Sequence, residues 1–495
     1  VSEARSNQTT WWLRTWSWLE RYSGWLLVAM LLFFFAVFTA AIIRKHELGR
    51  MGYDVALIHQ AVWNTAHGRF LETHAYDFTN SLLGTDSFFM AAWLAPLYRL
   101  LPSVYTLYAA QIAIVALGAL PLYLLAKDRL GRVPGLAAAA LYLLYTPVEY
   151  GSLYEIRFRI MGMAWLAFIL LFVERRRYWA LLPFIVLALS CRLDTTVAVF
   201  MAGLYALLRR RPWYYGVTLM AAGLGWYLAM TQGIIPALST RDSYMFLEHY
   251  GHLGSTPIEV LLSPFTRPLV VVQTVFQPGK IQYLLQLGAP FLFLFVFCPP
   301  ALLPALPLLA LNLLSTRANQ FDVYHHYQGM VTPFLLAGTI LTWEWLSHWE
   351  GPAWLRAWRV QALANRVRLI TLFLLLAALS TNLLFRNPLP SILLGRASPR
   401  LETARALIAQ IPPDAPVAAS NQLAPLVPVR QDIFLVPGGD FYYAAHPEER
   451  ADYVLLDLQS GRGEDEAALL EKLRADARWR VVEEKEGYVL LKREE

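Results

Sequence analysis

The chain is poor in charge, nearly without cysteine and without a glycine-rich phosphate loop, and each shortage removes a class of protein. Only 16% of its 495 residues are charged, while 57% are hydrophobic. Soluble globular proteins carry about 25% charged residues, so a water-soluble chain built around one core is excluded. The two cysteines, Cys191 and Cys298, both lie in apolar stretches. They read as buried free thiols, which excludes a disulfide framework and a cysteine-rich metal site. No Walker-type loop and no Gly-x-Ser-x-Gly elbow occurs, which argues against an ATP-driven pump and a serine hydrolase. Low-complexity tracts and short-period repeats are absent as well.

What the chain has instead is long apolar runs. A spanning helix needs about 20 apolar residues, and spans are expected near 24–43, 104–126, 133–149, 158–173, 213–235, 328–347 and 369–385. Two further runs, 178–208 and 283–314, are too long for one span and short for two. The first is interrupted at Ser190–Asp194 and the second at Pro299-Pro300. Each reads as a pair of short helices meeting inside or near the membrane, where non-helical backbone survives only beside protein or a water-filled cavity. The total is about eleven spans. Trp11, Trp12, Trp16, Trp18 and Trp25 crowd the start and mark residues 1–23 as an interfacial segment ahead of a transmembrane domain over 24–386. The first apolar run is too long for a cleavable leader and lacks a small-residue cleavage site, so it is expected to be retained.

Basic residues set the orientation. Lys127, Arg129 and Arg132, then Arg175–Arg177, Arg209–Arg211, and finally Arg356, Arg359, Arg366 and Arg368 fall on one side, expected to be cytoplasmic. The other side then carries the first outer loop (44–103), the Glu155 turn, the Arg192–Asp194 turn, the 237–282 loop and the His325-His326 segment. From residue 397 onward there are 18 acidic and 12 basic side chains, a net of −6 in a chain whose total is +6. The basic remainder has the character of a membrane protein's cytoplasmic loops and gives no reason to expect nucleic acid. After Asn387-Pro388-Leu389-Pro390, short apolar strands at 417–420, 433–436 and 453–458 precede an amphipathic helix near 464–478 and two edge strands around Gly487. Residues 387–495 are therefore expected to form a small α/β domain outside the membrane, given an odd span number and a cytoplasmic start. The expected fold class is an all-α polytopic membrane bundle with a small C-terminal α/β soluble domain.

The residues able to do chemistry gather on the outer side. With Met51–Asn64 read as a helix, Asp54 shares the face of Leu57, Ile58, Ala61 and Val62. An acid there is either a helix-start charge favoured by the macrodipole or a general base or acceptor clamp at the membrane surface. Asp86, within Gly84–Phe89, opens a second apolar helix ending at Pro102, as an N-cap or as a second catalytic acid. In the turn Tyr154–Arg159, Glu155 and Arg157 can hold a phosphate or pair with each other. Arg192 and Asp194 interrupt an apolar stretch, where ionisable groups are costly unless paired or functional. Tyr324, His325, His326 and Tyr327 precede a span and can stack on a sugar, relay protons or belong to an interfacial aromatic belt. No metal set is read from them, because adjacent histidines need further ligands at suitable spacing.

The run Tyr53-Asp54, Gln60–Asn64 and Gly68, followed by Ala95–Tyr98, Pro102 and Gln111, resembles a prokaryotic family of polytopic membrane proteins known by a domain-of-unknown-function label. The likeness continues through Tyr324–Tyr327 with Pro333 and into Asp452–Asp457. The layout is similar to that of GT-C glycosyltransferases, among them the dolichyl-phosphate-mannose:protein mannosyltransferases and the lipid A aminoarabinose transferases. Those enzymes share many spans, an acid in the first outer loop flanked by surface helices, and often a soluble outer domain. The resemblance implies a plasma-membrane enzyme that takes its sugar from a polyprenyl phosphate and not from a nucleotide. It implies Asp54 as the first-loop acid and Asp86 at the start of the second surface helix; on the transferase reading, Arg157 and Arg192 are expected to hold the donor phosphate as negative charge develops on it. The family pattern has a histidine where Asp86 stands and an acid with lysine near Arg192, so this chain departs there. A divalent cation bridging acids and phosphate is compatible with these residues but not required by them. The competing expectation is a non-catalytic protein, either an accessory subunit of a membrane complex or a transporter. A transporter should show matched broken helices in repeats, and 178–208 and 283–314 are unlike in sequence.

Overall fold

Helix dominates this chain because a backbone in lipid must satisfy its own polar groups. A computed structural model describes residues 2–241, 247–348, 356–438 and 443–494, with side chains described outside 1–13 and 349–366. The side chains of Trp11, Trp12, Arg356, Arg359 and Arg366, assigned above to the membrane surface and a cytoplasmic loop, lie outside the described residues. The helix at the N-terminus runs unbroken over Ser2–Glu47, carrying the tryptophans and the first apolar run on one element.

Among the described residues, three helices are long and apolar enough to cross a membrane: Arg14–Glu47, Val104–Leu130 and Val367–Leu384. The pair Pro257–Thr266 and Pro268–Val275, bent by 95°, makes a fourth if read as one broken span. Fewer unbroken spans than the expected eleven result, for local reasons. Tyr178–Leu189 and Thr195–Leu208 hold 12 and 14 residues, which is about 18–21 Å of helix against a hydrocarbon core of about 30 Å. Their break falls at Ser190–Asp194, where charge interrupts the apolar run. The 133–149 stretch also divides, into Arg132–Leu143 and Thr146–Tyr154, with Pro147 in the first turn of the second helix. Proline fits there because that N–H has no intrahelical partner to lose. The 283–314 run is more fragmented than a single turn at Pro299-Pro300. After Pro278–Gly288 come the short turns Ala289–Phe291, Leu294–Phe297 and Pro299–Leu302, and only then Leu306–Leu314. Pro290, Pro299, Pro300, Pro304 and Pro307 deny the run a continuous hydrogen-bond ladder.

The chain forms two compact units. One comprises residues 1–38, 111–227 and 249–387 and is helical. The other comprises 39–110, 228–248 and 388–495, so the first outer loop and the C-terminal sheet belong to one body. The sheet is built from β1 (Val417–Ser420), β2 (Ile433–Val436), β3 (Tyr453–Asp457), β4 (Trp479–Lys485) and β5 (Tyr488–Arg493), in the order β2-β1-β3-β5-β4. β1 is parallel to β2 and β3, with Val417 opposite both Ile433 and Tyr453; β5 is antiparallel to β3 and β4. β1 and β3 are buried at every position, as parallel strands covered on both faces must be. β5 was expected at an edge with β4, yet it lies inside the sheet and is buried over its first four residues. Phe434, Val454, Leu456, Trp479, Val489 and Leu491 share one core with Leu470 and Leu473 of the helix Gly463–Ala475.

Candidate functional site

The helix Tyr53–Ala66 starts after Gly52, which has no side chain to cap it. Its register is set by the C-terminal sheet. The Tyr53 N–H donates to Asn421 Oδ1 at 2.8 Å, and the Tyr53 hydroxyl donates to the Ile433 carbonyl at 2.7 Å. Two turns on, Gln60 Nε2 donates to the Gln431 carbonyl at 2.5 Å. Asp54 sits half-buried in the first turn, and its Oδ1 accepts the Tyr443 hydroxyl. The Tyr443 ring meets Tyr53 edge-on, with centroids 5.0 Å apart, and stacks on Tyr76 at 5.4 Å. Burial, and then the Asp54 charge, push the Tyr443 hydroxyl well above the usual phenol range, so it keeps its proton and donates. The helix N-terminus and this O–H both favour a negative charge at Asp54.

Asp86 belongs to the same unit and is fully buried, but it does not open a helix. Its Oδ1 accepts the Ser87 N–H at 2.7 Å. The helix that follows is Met90–Leu100, with Phe89 at the N-cap, so it starts after Asp86 and stops before Pro102. Asp86 therefore fixes the loop ahead of that helix by a bond to its own neighbour, a local option open to aspartate in any tight loop.

The helical unit holds a second constellation. Arg157 stands at the N-cap position of Phe158–Glu174 without a capping side-chain hydrogen bond, and pairs with Glu155 across the turn. Gln111 holds that turn from another helix: its Oε1 accepts the Arg157 N–H at 2.7 Å, and its Nε2 donates to the Glu155 carbonyl at 2.7 Å. Arg159 donates to Asp194 Oδ2 at 2.5 Å, while Arg192 Nε lies 3.4 Å from Asp194 Oδ1. The pair read from the sequence, Arg192 with Asp194, is thus one arm of a triad whose tighter arm is Arg159. Arg159 also lies over the Tyr327 ring at 4.6 Å, and Arg157 over Tyr154 at 5.3 Å. His326 is buried, stacks on Tyr327 at 4.2 Å and has a buried Nδ1 with no hydrogen-bond partner. His325 Nδ1 contacts Asp322 Oδ2 at 2.9 Å, and Tyr324 packs against Tyr150 at 4.9 Å. Three guanidiniums, Arg157, Arg159 and Arg192, gather there with the carboxylates Glu155, Asp194 and Asp322, and guanidiniums so placed are donors suited to an anion.

The sequence-derived residues therefore fall in two groups, Asp54 and Asp86 in one unit, and Glu155, Arg157, Arg192, Asp194 and Tyr324–Tyr327 in the other. Arg159, Gln111, Asp322 and Tyr443 were not singled out from the sequence. The alternation Arg157-Phe158-Arg159 held a signal for Arg159, since two arginines at a span entrance both need partners. Tyr443 carried none, being 389 positions from Asp54. Among the described residues no group of three or more His, Cys, Asp or Glu side chains is placed to hold a metal ion.

The family described as Predicted membrane protein (DUF2079) matches residues 44–490. Among solved structures, ArnT from Cupriavidus metallidurans in the apo state is 13% identical with a TM-score of 0.57. The same protein bound to undecaprenyl phosphate is 14% identical with a TM-score of 0.52. Each comparison covers 95% of this chain and 98% of the other. An Archaeoglobus fulgidus oligosaccharyltransferase, 12% identical over 90% of this chain and 70% of its own, has a TM-score of 0.44 and is too distant to carry an argument. No curated protein matches the chain significantly. These structural neighbours are GT-C glycosyltransferases, and at such identities the likeness shows the fold alone: a membrane glycosyltransferase fold.

Proposed function

The chain belongs to the DUF2079 family of predicted membrane proteins, and from that membership and its GT-C fold we propose that it transfers a sugar from a polyprenyl-phosphate carrier to an acceptor at the outer face of a prokaryotic plasma membrane. The observation that carries this reading is Asp54, a carboxylate at the start of the first-loop helix, held by the Tyr443 hydroxyl. The donor class is supported by the ArnT structure that contains undecaprenyl phosphate. In the proposed reaction the acceptor hydroxyl oxygen bonds to the anomeric carbon as Asp54 takes its proton. The bond from that carbon to the phosphate oxygen breaks with inversion, and the carrier phosphate leaves with the electron pair. The Arg157, Arg159 and Arg192 guanidiniums of the helical unit are, taken by themselves, suited to offset negative charge on a phosphate. Tyr324, His325, His326 and Tyr327 supply aromatic faces and hydrogen bonds for the sugar, and Asp86 fixes the loop ahead of the second surface helix.

The ion pairs Glu155–Arg157 and Arg159–Asp194 favour a second reading, in which the cluster only ties helices together in an accessory subunit or a transporter. Mass spectrometry of lipid-linked sugars and envelope glycans, with and without the gene, separates the two. The transferase reading expects an accumulated polyprenyl-phosphate sugar and a missing glycan modification in the deletion strain. An unchanged profile of both refutes it.

A further inference from the structure

The first outer loop and the edge of the C-terminal sheet belong to one body and meet along a run of closely spaced contacts. β2 is an edge strand, so the carbonyls on its outer side have no strand to pair with. The carbonyl of Asp432, just ahead of β2, accepts the Val417 N–H at 3.2 Å and so points toward β1. Those of Gln431 and Ile433 alternate away from β1 and accept from Gln60 and Tyr53 of the first-loop helix. The Asp432 side chain goes to the loop as well, its Oδ1 lying 2.5 Å from His74 Nδ1. The Ala444 N–H donates to the Ala75 carbonyl at 2.9 Å, and the Ala445 N–H donates to Asp77 Oδ2 at 2.8 Å. Arg450 Nη1 stands 3.8 Å from Asp77 Oδ1. Residues 74–77 are thus clasped by 432, 444, 445 and 450, and the next residue to Ala444 is Tyr443, whose hydroxyl holds Asp54.

One member of this clasp changes its charge near neutral pH: an imidazole does, while carboxylates and guanidiniums keep theirs. His74 is half-buried and faces Asp432 on Nδ1 and, at 3.7 Å, Glu72 on Nε2. Glu72 in turn lies 3.8 Å from Arg69 Nε and accepts from Gln431 Nε2 at 3.4 Å. The hydrogen bond to Asp432 holds the His74 pKa above its ordinary 6.5; burial works against it, the charges of Asp432 and Glu72 add to it, and Arg450 opposes it. A group that binds its proton more tightly folded than unfolded contributes fully below its ordinary pKa and loses that contribution as pH rises through the folded one. We propose that His74 and Asp432 form a proton-operated latch that clasps the segment carrying Tyr443 onto the first outer loop, tight in mild acid and loosened as pH rises. The latch stands on these contacts and not on the transferase reading.

The test is residue-resolved hydrogen exchange on the purified full-length protein in nanodiscs, read as protection relative to the intrinsic exchange rate at each pH. The Ala444 and Ala445 amides report directly, because both are bonded to the first outer loop. His74→Asn keeps a donor near the position of Nδ1 and cannot carry a charge. Protection at 444–445 in wild type, divided by that in His74→Asn, should be largest near about pH 6 and fall steadily toward about pH 9. Asp432→Asn should give the same falling ratio and stands in if His74→Asn fails to fold. Glu466 is unaltered in both variants, so its own pH dependence is common to all three proteins and cancels in the ratio. A ratio that stays constant within about twofold over this range in folded His74→Asn overturns the proposal; where that variant fails to fold, the same constancy in Asp432→Asn does so. An equal change at the β3 amides also overturns it, because the pair would then belong to the stability of the whole domain and not to a latch.

Discussion

Changing Asp54 to Asn separates catalysis from architecture because the substitution leaves the shape nearly intact. The amide oxygen still accepts the Tyr443 hydroxyl, but the charge and the capacity to take a proton are gone. A hydrogen bond to a charged group contributes about 1.5–3 kcal/mol and a neutral one about 0.5–1.5, so the bond weakens by about 1 kcal/mol. Losing a negative charge from the first helical turn adds about 0.3–1 kcal/mol. The structural cost is then about 1–2 kcal/mol, a small shift in thermal unfolding. A positioned general base contributes about a hundred- to ten-thousandfold in rate, which corresponds to about 3–5 kcal/mol of transition-state stabilisation. The assay is transfer of a labelled sugar from a polyprenyl-phosphate donor by purified protein, run beside thermal unfolding. Tyr443→Phe is the comparator, since it removes the same hydrogen bond and leaves the carboxylate. It should unfold at least as easily as Asp54→Asn and yet retain more activity. If Asp54→Asn transfers sugar within about threefold of wild type, the rate argument fails and the acid is architecture.

Other outcomes follow from particular contacts. Arg159→Ala removes the tighter of the two arginines on Asp194 and leaves Arg192 Nε at 3.4 Å; breaking a buried pair outright costs about 3–5 kcal/mol, and the remaining ion pair keeps the loss below that. The double variant with Asp194→Ala should recover much of that stability, and full activity in the double variant would make the triad purely structural. On the helix Gly463–Ala475 beside the C-terminal sheet, burial raises Glu466 to about 7 from an ordinary 4.5, against hydrogen bonds from Ser460, Ser420 and the Asp457 N–H. The folded state holds this proton longer than the unfolded state, so stability from this group is complete below the ordinary value and declines as pH rises through about 7. The full effect is about 3 kcal/mol. The protection of β3 amides, relative to the intrinsic exchange rate at each pH, should therefore fall between about pH 5 and 8 in wild type and change little in Glu466→Gln; equal pH dependence of protection in both would refute the assignment. The proposed outer placement of the C-terminal domain predicts that protease added to right-side-out cells releases a fragment beginning near Asn387, and release only from inverted vesicles would reverse the orientation.

Where a pattern is local, the amino-acid sequence determined it alone. The strands at 417–420, 433–436 and 453–457 show as short apolar runs between turns, because a strand buried on both faces needs no alternation. The break at Ser190–Asp194 shows because charge and apolar helix cannot share a continuous span cheaply. Asp54 shows because an acid on an otherwise apolar helix face is conspicuous. Partners over long separation left no such trace. Tyr443 reaches Asp54 across 389 positions, and Arg159 takes Asp194 from 35 positions away; a hydrogen bond constrains two atoms and no periodicity between them. The same limit hid the position of β5, since its apolar run fits an interior strand or an inward-facing edge equally well, and only the crossover from β3 decides between them. The span count depended on where prolines cut the ladder in 283–314 and on which fragments found neighbours to cover their ends. Local chemistry sets what each segment can be, and tertiary structure chooses its partners, because closure entropy and packing belong to the whole chain.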